Sequence, residues 1–516
     1  MLTLADPLDH ARRTAGDRTA LVCGDERVDY AALYDRCARL VGALHGLGAR
    51  AGARVAVLSL NCHRMVETFF AVPAGGMVVV PLNTRLATAE VEAILADARA
   101  TVLLTDRDPG PLAAHVRHVV RYDDGSSGGY EALLAAADPA RLGAEAGVQE
   151  DDLAAMFYTG GTTGRSKGVM LTHRNLVANA YHKTLAVRID TDDVFLAAPA
   201  LFHVAGTAPL HGLCWRGAAT VVMPTFEAAG ALDLIARHGV TFAIPVPTML
   251  AAMVDEQRAR PRNVDSLRLL GHAASPIASD LLRRVHETFP RAQLAHFYGA
   301  TETCSIVTHL LHEERLLDGP LLGSCGIPAP GVQVRIVDPA ATTIIGAEQP
   351  ARAVGEVVVR GPNVMVGYWD NPEATEAAML DGWYRTGDLG WLDEHANLFV
   401  VDRAKDMILS GGENVYSVEV EDVLARHPAV AEVAVFGVPD ERWGEAVHAV
   451  VVPRGTVDEE AEFVAELRAH CRAMIAAYKV PKTIELRADP LPKSGPGKVL
   501  KRALRDPYWA GRATKV

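Results

Sequence analysis

The sequence predicts a mixed α/β protein, because buried-strand patterns alternate with helical patterns through two stretches of the chain. The first stretch has strand patterns at 55–60, 77–82 and 101–105, with helical spacing at 64–72 and 88–98. The second runs from 194 to about 300 and has strand patterns at 219–223, 241–246 and 267–271. Each stretch is expected to form one α/β subdomain.

Two further units follow these stretches. Dense alternation of apolar and polar residues at 332–337 and 356–360 predicts a small antiparallel β unit. Beyond Asp402, strand patterns at 430–438 and 447–452 and a helical pattern at 457–477 predict a compact C-terminal α/β unit. A chain of 516 residues is long enough for two or more domains.

Composition narrows the class of protein. Hydrophobic residues at 49% and charged residues at 22% are ordinary for a soluble globular protein. The formal net charge of -12 argues against a general nucleic-acid-binding surface and leaves only local basic patches open. The seven cysteines include no Cys-x-x-Cys pair, so neither a disulfide framework nor a zinc site is predicted, and a reducing cytosol is favoured.

The N-terminal residues lack the pattern of a secretory signal, and no stretch of about 18 uninterrupted apolar residues occurs. We therefore expect a soluble cytoplasmic protein without stable membrane insertion. No pattern in the sequence indicates an oligomeric state.

The glycine-rich segment at 158–168, YTGGTTGRSKG, has a composition suited to binding phosphate. Its glycines let backbone N–H groups approach an anion, its threonine hydroxyls add donors, and Lys167 adds a positive charge. A strand pattern at 153–158 precedes it, and a helical pattern from Asn175 follows it. The segment predicts a nucleotide-phosphate loop, against the alternative of an ordinary glycine-rich turn.

Spacing excludes the two common nucleotide motifs. In a P-loop, glycine precedes the lysine and Ser or Thr follows it, whereas Lys167 lies between Ser166 and Gly168. A second candidate near the C-terminus has Val499 where Ser or Thr is required. The Gly-x-Gly-x-x-Gly dinucleotide fingerprint is also missing from the glycine-rich segment.

Later segments add chemistry of the same kind. Glu302 lies beside hydroxyl residues and is suited to hold Mg²⁺ on phosphates. Asp388 ends a loop and is the residue type that accepts hydrogen bonds from ribose hydroxyls. A charged segment at 402–406 precedes glycines at 411–412, and a Pro/Gly-rich segment ends in Lys498.

Together these segments resemble the adenylate-forming superfamily of acyl-CoA synthetases, carrier-adenylation domains and luciferases. The resemblance covers nearly the whole chain and rests on six motifs in the expected order: YTGGTTGRSKG, FHVAG, YGATET, YRTGDLG, DRAKDMILSGGENVYS and PKSGPGK. Gly161 stands where the family usually has serine, and Ser166 where it usually has proline. The replaced serine is one phosphate donor among several, so altered affinity is expected and inactivation is not.

The resemblance implies an ATP-dependent acid–thiol ligase. Such enzymes join a carboxylate to the α-phosphorus of ATP, release pyrophosphate, and let a thiol attack the acyl-adenylate; ATP, Mg²⁺ and coenzyme A are implied. The first step needs charge neutralisation and positioning more than covalent catalysis. By resemblance Lys498 supplies that charge from a glycine-flanked loop that swings in and out, against the alternative of a solvated surface lysine.

The resemblance also assigns the other site residues. The catalytic set is Lys498, Glu302, Thr301 and Lys167, with Glu302 as the metal ligand. The ATP- and AMP-binding set is Thr159, Gly160, Gly161, Thr162, Thr163, Gly164, His272, Ala273, Ala274, Ser275, Tyr298, Gly299, Asp388 and Arg403, with adenine stacked near Tyr298. The acyl pocket is His203, Val204, Gly206, Thr207, Ala300 and Cys304, and the hinge and CoA tunnel are Asp402, Gly411, Gly412 and Glu413.

Alternative interpretations of three residues stay open. Asp388 could cap a turn, Arg403 could pair with a neighbouring aspartate on the surface, and His203 could be a core histidine bonded to backbone.

The family architecture implies a large N-terminal adenylation domain at 1–401, with two α/β subdomains and a small β-barrel-like one. It also implies a small mobile C-terminal α/β domain at 402–516. No carrier domain follows Lys498, which favours CoA as acceptor and leaves a separate carrier protein open. Small and apolar pocket residues favour a hydrophobic fatty or aromatic acid over a dicarboxylate, which would want an arginine or lysine counter-charge.

Two other classes of protein are alternatives. A catalytically silent binding protein of this fold would be expected to lack Lys498, Glu302 or Asp388, all of which are present. A luciferase-like oxidase shares every adenylation motif.

Overall fold

The structure is a computed structural model that describes residues 2–122, 128–159, 166–274, 277–344, 348–410, 413–440, 442–493 and 498–510. The α-helices are α1 (Ala5–Thr14), α2 (Tyr30–Gly46), α3 (His63–Ala74), α4 (Thr88–Ala98), α5 (Tyr130–Ala136), α6 (His173–Val187), α7 (Val204–Arg216), α8 (Ala228–His238), α9 (Pro247–Ala259), α10 (Ser279–Thr288), α11 (Pro372–Ala377), α12 (Ser417–Ala425), α13 (Glu460–Met474) and α14 (Lys501–Trp509). Short 3₁₀ helices lie at Gly110–His115, Gly143–Ala146, Thr301–Thr303, Glu313–Leu316 and Ala477–Lys479.

The strands of the N-terminal half are β1 (Thr19–Cys23), β2 (Glu26–Asp29), β3 (Arg54–Leu58), β4 (Val78–Pro81), β5 (Val102–Thr105), β6 (His118–Arg121), β7 (Leu153–Thr159), β8 (Lys167–Thr172), β9 (Val194–Ala197), β10 (Ala219–Val222), β11 (Phe242–Ala243), β12 (Leu269–Ala273) and β13 (Gln293–Tyr298). Those of the C-terminal half are β14 (Thr308–Leu311), β15 (Ile327–Pro328), β16 (Gln333–Val337), β17 (Gly355–Arg360), β18 (Gly367–Tyr368), β19 (Met379–Leu380), β20 (Trp383–Leu392), β21 (Leu398–Arg403), β22 (Ile408–Ser410), β23 (Glu413–Val415), β24 (Val430–Asp440), β25 (Gly444–Pro453) and β26 (Thr483–Leu486).

The first α/β sheet has the order β18-β8-β7-β4-β3-β5-β6. Strands β3 to β7 are parallel wherever they pair, as the predicted alternation of strands and helices requires, and β8 and β18 close one edge antiparallel. The predicted first α/β unit is therefore confirmed, with α4 at the predicted 88–98.

The second α/β sheet has the order β15-β14-β13-β12-β11-β9-β10-β1-β2. Its middle strands carry the second predicted unit, but the N-terminal hairpin β1–β2 also joins it through β10. The strand predicted at 241–246 is shorter than expected, since β11 ends at Ala243. Pro245 and Pro247 follow, and proline has no N–H to donate to a neighbouring strand.

The two sheets are stacked around a shared core. Alternate residues of β3 and β13, such as Val55 and Phe297, belong to one buried cluster that also contains residues of α2, α3, α6 and α7. The opposite face of the second sheet packs against α8, α9 and α10, where Leu270 and Leu294 lie. Helices α6 and α7 therefore lie between the sheets, and the face of β12 and β13 that meets them is distinct from the face that meets α10.

Two smaller sheets follow. The predicted antiparallel unit is confirmed as β16-β17-β20-β19 with β21 beside β20. The C-terminal unit has the order β23-β22-β25-β24 with β26 beside β25, and it has its own buried cluster around Val435 and Leu467. Within the described ranges, no helix combines the length and apolar character needed to cross a bilayer.

Candidate active site

The glycine-rich loop is carried by a β-hairpin. Strands β7 and β8 pair antiparallel, and Thr159 lies opposite Lys167 at the open end of the pair. The described ends of the glycine-rich segment are therefore adjacent to one another. Gly160, Gly161, Thr162, Thr163 and Gly164 lie outside the described residues, as do Ser275, Gly411 and Gly412.

Lys167 and Glu302 meet across one aromatic ring. The Nζ atom of Lys167 lies 5.0 Å from the ring centroid of Tyr368, whose hydroxyl donates a 2.9 Å hydrogen bond to Glu302 Oε1. The backbone supports this contact, because β18 pairs with β8 and Met365 N donates to the Glu302 carbonyl at 2.8 Å. Three segments distant in sequence thus converge on one point.

A second cluster lies at the start of β20–β21 pairing. Asp388 and Arg403 are register partners, and Arg403 Nε lies 3.0 Å from Asp388 Oδ1. The hydroxyl of Tyr298, at the end of β13, donates a 2.7 Å hydrogen bond to Asp388 Oδ2. Asp388 is 7% exposed, so the alternative of a surface turn cap does not describe it.

Buried tyrosines join the two clusters. Burial and the charge of Asp388 hold the pKa of Tyr298 well above its ordinary value. Burial, followed by the charges of Glu302 and Tyr368, raises the pKa of Tyr384 in the same way. These hydroxyls stay protonated at neutral pH, and that of Tyr298 donates to Asp388.

Lys498 lies within range of the Asp388–Arg403 pair. Leu500 N, two residues after Lys498, donates a 2.7 Å hydrogen bond to the Pro492 carbonyl. Burial, followed by the positive charge of Arg403, lowers the pKa of Lys498 from 10.5 to about 8, and Asp388 opposes the change. The charge of Lys498 therefore interacts with the charges of Asp388 and Arg403.

At the end of β12, the side chain of His272 is buried against other side chains. His272 is 1% exposed, and its Nε2 lies 2.8 Å from Glu313 Oε2. Its ring stacks on that of His296, with centroids 4.4 Å apart. The predicted neighbours Ala273 and Ala274 follow on the chain, and Ala274 has φ 74°, in the left-handed region. The His272 side chain pairs with Glu313 through Nε2, and its Nδ1 has no hydrogen-bond partner among the described residues.

The predicted acyl-pocket residues come from two segments. His203, Val204, Gly206 and Thr207 form the start of α7, where a Cβ on Gly206 would lie 2.5 Å from the Ala200 carbonyl oxygen. Ala300 and Cys304 flank the short 3₁₀ helix that contains Thr301 and Glu302.

Residues of both segments are buried and closely packed. Cys304 and Val204 belong to the shared core between the sheets. Burial lowers the pKa of His203 to about 4, and its Nε2 has no hydrogen-bond partner among the described residues. A Cβ on Gly299 would lie 2.4 Å from the Ser305 carbonyl oxygen, so only glycine fits beside Tyr298.

The predicted hinge and tunnel residues behave differently from one another. Asp402 is 3% exposed and accepts a 3.1 Å hydrogen bond from the Ser417 hydroxyl, which Lys501 Nζ approaches at 2.6 Å. Asp402 thus links β21 to the C-terminal unit. Glu413 is exposed at the start of β23.

Sequence reasoning missed Tyr368, which connects Lys167 with Glu302. No spacing signal marks it, because its position follows from β18 pairing with β8. It also missed Lys183 in α6, which is 1% exposed. Its helical phase among Leu176, Asn179 and Ala180 is the signal that it lies on the inward face.

Comparisons with known proteins identify the family of the chain. A family model for AMP-binding enzymes matches residues 8–369, and one for the AMP-binding enzyme C-terminal domain matches residues 419–498. A feruloyl-CoA synthase from an Amycolatopsis species is 38% identical over 497 residues, covering 96% of each chain. A fatty acid–[acyl-carrier-protein] ligase from Streptomyces coeruleorubidus is 35% identical over 509 residues, covering 96% of this chain and 95% of the relative.

A solved relative shows the same fold. The o-succinylbenzoate CoA synthetase of Bacillus subtilis in complex with its acyl-adenylate intermediate has a TM-score of 0.85 and 32% identity, covering 100% of this chain and 99% of the relative. With ATP and a magnesium ion, that enzyme gives a TM-score of 0.84 at 32% identity, over 98% and 99% of the two chains. The chain therefore belongs to the AMP-binding enzyme family, the adenylate-forming superfamily that its six motifs resemble.

Proposed function

We propose that this chain is an ATP-dependent carboxylic acid:CoA ligase that acts on an acid with an apolar body. In the first step a carboxylate oxygen attacks the α-phosphorus, the bond to the bridging β-oxygen breaks, and pyrophosphate leaves. In the second step the sulfur of CoA attacks the acyl carbon, the thiol loses its proton, and AMP leaves. One observation carries the proposal: Lys498 is close enough to Asp388 and Arg403 for their charges to shift its pKa.

Lys498 is proposed to neutralise charge during the first step. The reacting carboxylate and the α-phosphate are both anionic, so they repel one another unless a cation lies at their meeting point. A lysine whose pKa is already lowered to about 8 regains its proton affinity when an anion binds beside it. Thr301, next to Glu302, is proposed to donate to the α-phosphate.

Glu302 is proposed to hold Mg²⁺. Tyr368 bonds only its Oε1, and among the described residues Oε2 has no hydrogen-bond donor, so the carboxylate keeps an oxygen for a hard cation. Bound there, Mg²⁺ would neutralise charge on the triphosphate. Lys167, on the other side of Tyr368, would add a second positive charge to the same phosphates.

Asp388 and Arg403 are proposed to bind the ribose. Their ion pair and the Tyr298 hydrogen bond fix the Asp388 carboxylate, whose remaining lone pairs accept ribose hydroxyls. Adenine is proposed to stack near Tyr298 over Ala273 and Ala274. The other proposed nucleotide contacts are Thr159, Gly160, Gly161, Thr162, Thr163, Gly164, His272, Ser275 and Gly299.

The acyl group is proposed to enter between α7 and the 3₁₀ helix, along His203, Val204, Gly206, Thr207, Ala300 and Cys304. Both segments border the shared core, where apolar surface is favourable for an acyl or aryl body.

The acceptor is proposed to be CoA. A carrier protein is the second candidate, since one relative is a fatty acid–[acyl-carrier-protein] ligase. The cytoplasm stays our proposed location, supported by the absence of a disulfide among the seven cysteines, all of which are described.

The chain is proposed to divide at residue 402, into 1–401 and 402–516, with Asp402 as the hinge and Gly411, Gly412 and Glu413 lining a CoA tunnel. The family-model matches leave the boundary between residues 369 and 419, and Asp402 bonds Ser417 across it. Rotation about this point would withdraw Lys498 and bring in the 411–413 segment.

Replacing Asp402 with proline tests the hinge, because proline fixes φ and removes the N–H. The two half-reactions should slow unequally: thioester formation from supplied acyl-adenylate should fall more than pyrophosphate release. Equal slowing of both, or of neither, would contradict the assignment. Asp393→Pro, in the turn between β20 and β21, is the matched control for a local backbone effect.

The activity itself is tested by pyrophosphate release over a panel of fatty, aryl and dicarboxylic acids of graded length, with CoA, with a phosphopantetheinylated carrier protein, and with neither. The proposal expects acid-dependent pyrophosphate in all three series and thioester only with CoA. Thioester only on the carrier protein would favour the second candidate. No pyrophosphate from any acid would refute both.

A further inference from the structure

Lys183 is a buried cation without a buried anion. Its side chain is 1% exposed on the inward face of α6, and no described carboxylate pairs with it. Its Nζ lies 4.1 Å from the ring centroid of Phe297, the residue before Tyr298 in β13. Burial alone lowers the pKa of Lys183 from 10.5 to about 7.

The contact with Phe297 does not compensate for this burial. A desolvated cation–π contact contributes about 2 kcal/mol. Removing an ammonium from water costs several kcal/mol even after the protein relaxes. The protein therefore keeps a destabilising lysine at a position where a leucine or methionine would pack better.

Three other polar side chains near Lys183 each have one atom without a hydrogen-bond partner among the described residues, although the His182 ring also bonds the Pro330 backbone. Asn179 lies one helical turn earlier on α6 and is 1% exposed, and its Oδ1 makes no hydrogen bond with a described residue. The Nδ1 atoms of His182 and His309 make none either. His309 is the register partner of Phe297 on β14, and the charge of Lys183 adds to burial in lowering its pKa. One amide, two imidazoles and one amine converge here.

Phe297, which Lys183 contacts, lies three residues before Ala300 of the proposed acyl pocket. Phe297 belongs to the buried cluster that contains Val204 and Cys304, whereas His272 and His296 on the same two strands belong to the opposite face. Helix α6 approaches α7 closely, because a Cβ on Gly212 would lie 2.5 Å from Thr184 Oγ1. Lys183 therefore contacts the Phe297 ring on the face of β13 that belongs to the core shared with α6 and α7.

We infer that Lys183, with Asn179 and His309, binds a second carboxylate at the far end of the substrate, so that the acid activated here is an apolar dicarboxylic acid. This inference rests on the proposed ligase activity and narrows its substrate class. One carboxylate is held at the nucleotide near Lys498, and the other is held at α6. A carboxylate supplies the anion that Lys183 lacks and accepts a hydrogen bond from the His309 ring. It accepts a second one from Asn179 when that amide turns over to present Nδ2 in place of the unpartnered Oδ1.

The test compares matched acids that differ only at the far end. Straight-chain monoacids of six to twelve carbons are each paired with the dicarboxylic acid of the same length, and 3-phenylpropanoate is paired with its 4-carboxy and 4-hydroxy derivatives. For each pair, kcat/KM for pyrophosphate release is measured on the full chain. Wild type should favour the distal carboxylate by about tenfold or more in at least one pair, the size expected of one charge-assisted contact.

Lys183→Met should lower that ratio to unity or below. His309→Leu should reduce the same ratio several-fold, so the inference stays testable if one variant fails to fold. Lys482→Met removes an exposed lysine of the C-terminal unit and should leave the ratio unchanged.

Three outcomes would overturn the inference while leaving the ligase activity standing. They are a wild type that prefers the monoacid of every pair, a Lys183→Met ratio equal to wild type, and a Lys183-dependent preference for the 4-hydroxy acid only. An enzyme that releases no pyrophosphate with any acid would instead refute the ligase proposal itself.

Discussion

Lys498 and Lys183 are proposed to act at opposite ends of the substrate, and the groups that surround their ammonium charges differ. Lys498 is surrounded by charges of both signs, with Asp388 and Asp406 opposing Arg403 and Lys405. Lys183 has an aromatic ring and two imidazoles around it, and no described carboxylate. The nucleotide end is thus balanced before any ligand binds, whereas the acyl end is not.

The largest effect on activity should come from replacing Lys498, at the proposed nucleotide end of the site. Lys498→Ala should lower the rate of pyrophosphate release by about 10²–10³-fold, the range found when one group that stabilises transition-state charge is removed. Conversion of supplied acyl-adenylate to thioester should change little, because Lys498 is proposed to act only in the first step. Lys493→Ala, which removes a lysine paired with Glu432 in the same segment, is the control. Full adenylation by Lys498→Ala would remove the proposed role.

Asp388→Asn should weaken ATP binding by about 10- to 100-fold. The amide keeps the shape of the carboxylate and removes the charge that Arg403 pairs with, so a half-buried guanidinium is left without its partner. The KM for ATP and the affinity for AMP both report this loss. Glu394→Gln, on the turn between β20 and β21, removes an exposed ion pair with Arg352 and should have no effect. An unchanged KM in Asp388→Asn would show that the ribose is held elsewhere.

The pH dependence should follow Lys498. Its protonated form is present below a pKa of about 8 and is lost as the pH rises through that value. The kcat/KM for ATP, which reports the free enzyme, should therefore fall above pH about 8. Lys498→Arg should lack this alkaline limb, because guanidinium stays charged throughout the range. An identical limb in both enzymes would assign it to another group.

The smallest effect concerns stability at the unbalanced end. The folded protein releases the Lys183 proton near pH 7, whereas an unfolded lysine keeps it to about 10.4. Between these values the unfolded state binds more protons, so the free energy of unfolding rises with pH by about 1.4 kcal/mol per pH unit relative to Lys183→Met.

Denaturant unfolding of wild type and Lys183→Met at pH 7.5, 8.5 and 9.5 measures this slope. The advantage of the methionine variant should be greatest at the lowest pH. A constant difference between the two proteins would show that Lys183 stays charged in the folded state.

The sequence predicted the elements that follow a regular pattern and the residues that belong to motifs of the family. The alternation of strands and helices located both α/β units, and dense alternation located the antiparallel unit. It could not place β1, because the pairing of Leu21 with Thr220 depends on contacts remote in sequence. The strand β8 was missed for a different reason, since it begins at Lys167 and a loop motif obscured its pattern.

The same limit applies to the site. Glu302, Asp388, Arg403 and Lys498 carry motif signals, and the structure brings them close to one another. Tyr368 and Lys183 carry none, since an isolated tyrosine or lysine becomes notable only when its burial and its neighbours are known. The preference for an apolar acid without a counter-charge rested on residues near the reactive end. Lys183 lies on α6, which supplies none of them.

The pairing of β18 with β8 has a consequence for how the enzyme is made. Strand β8 leaves the ribosome early, but Gly367 and Tyr368, its partners at Met170 and Val169, follow almost 200 residues later. At ordinary rates of synthesis that is a wait of roughly 10–40 s. During that time the edge of the first sheet beside the phosphate loop is an unpaired strand, open to association with other chains. A chaperone that shields this edge, or a chain truncated before Gly367, would show whether aggregation starts there.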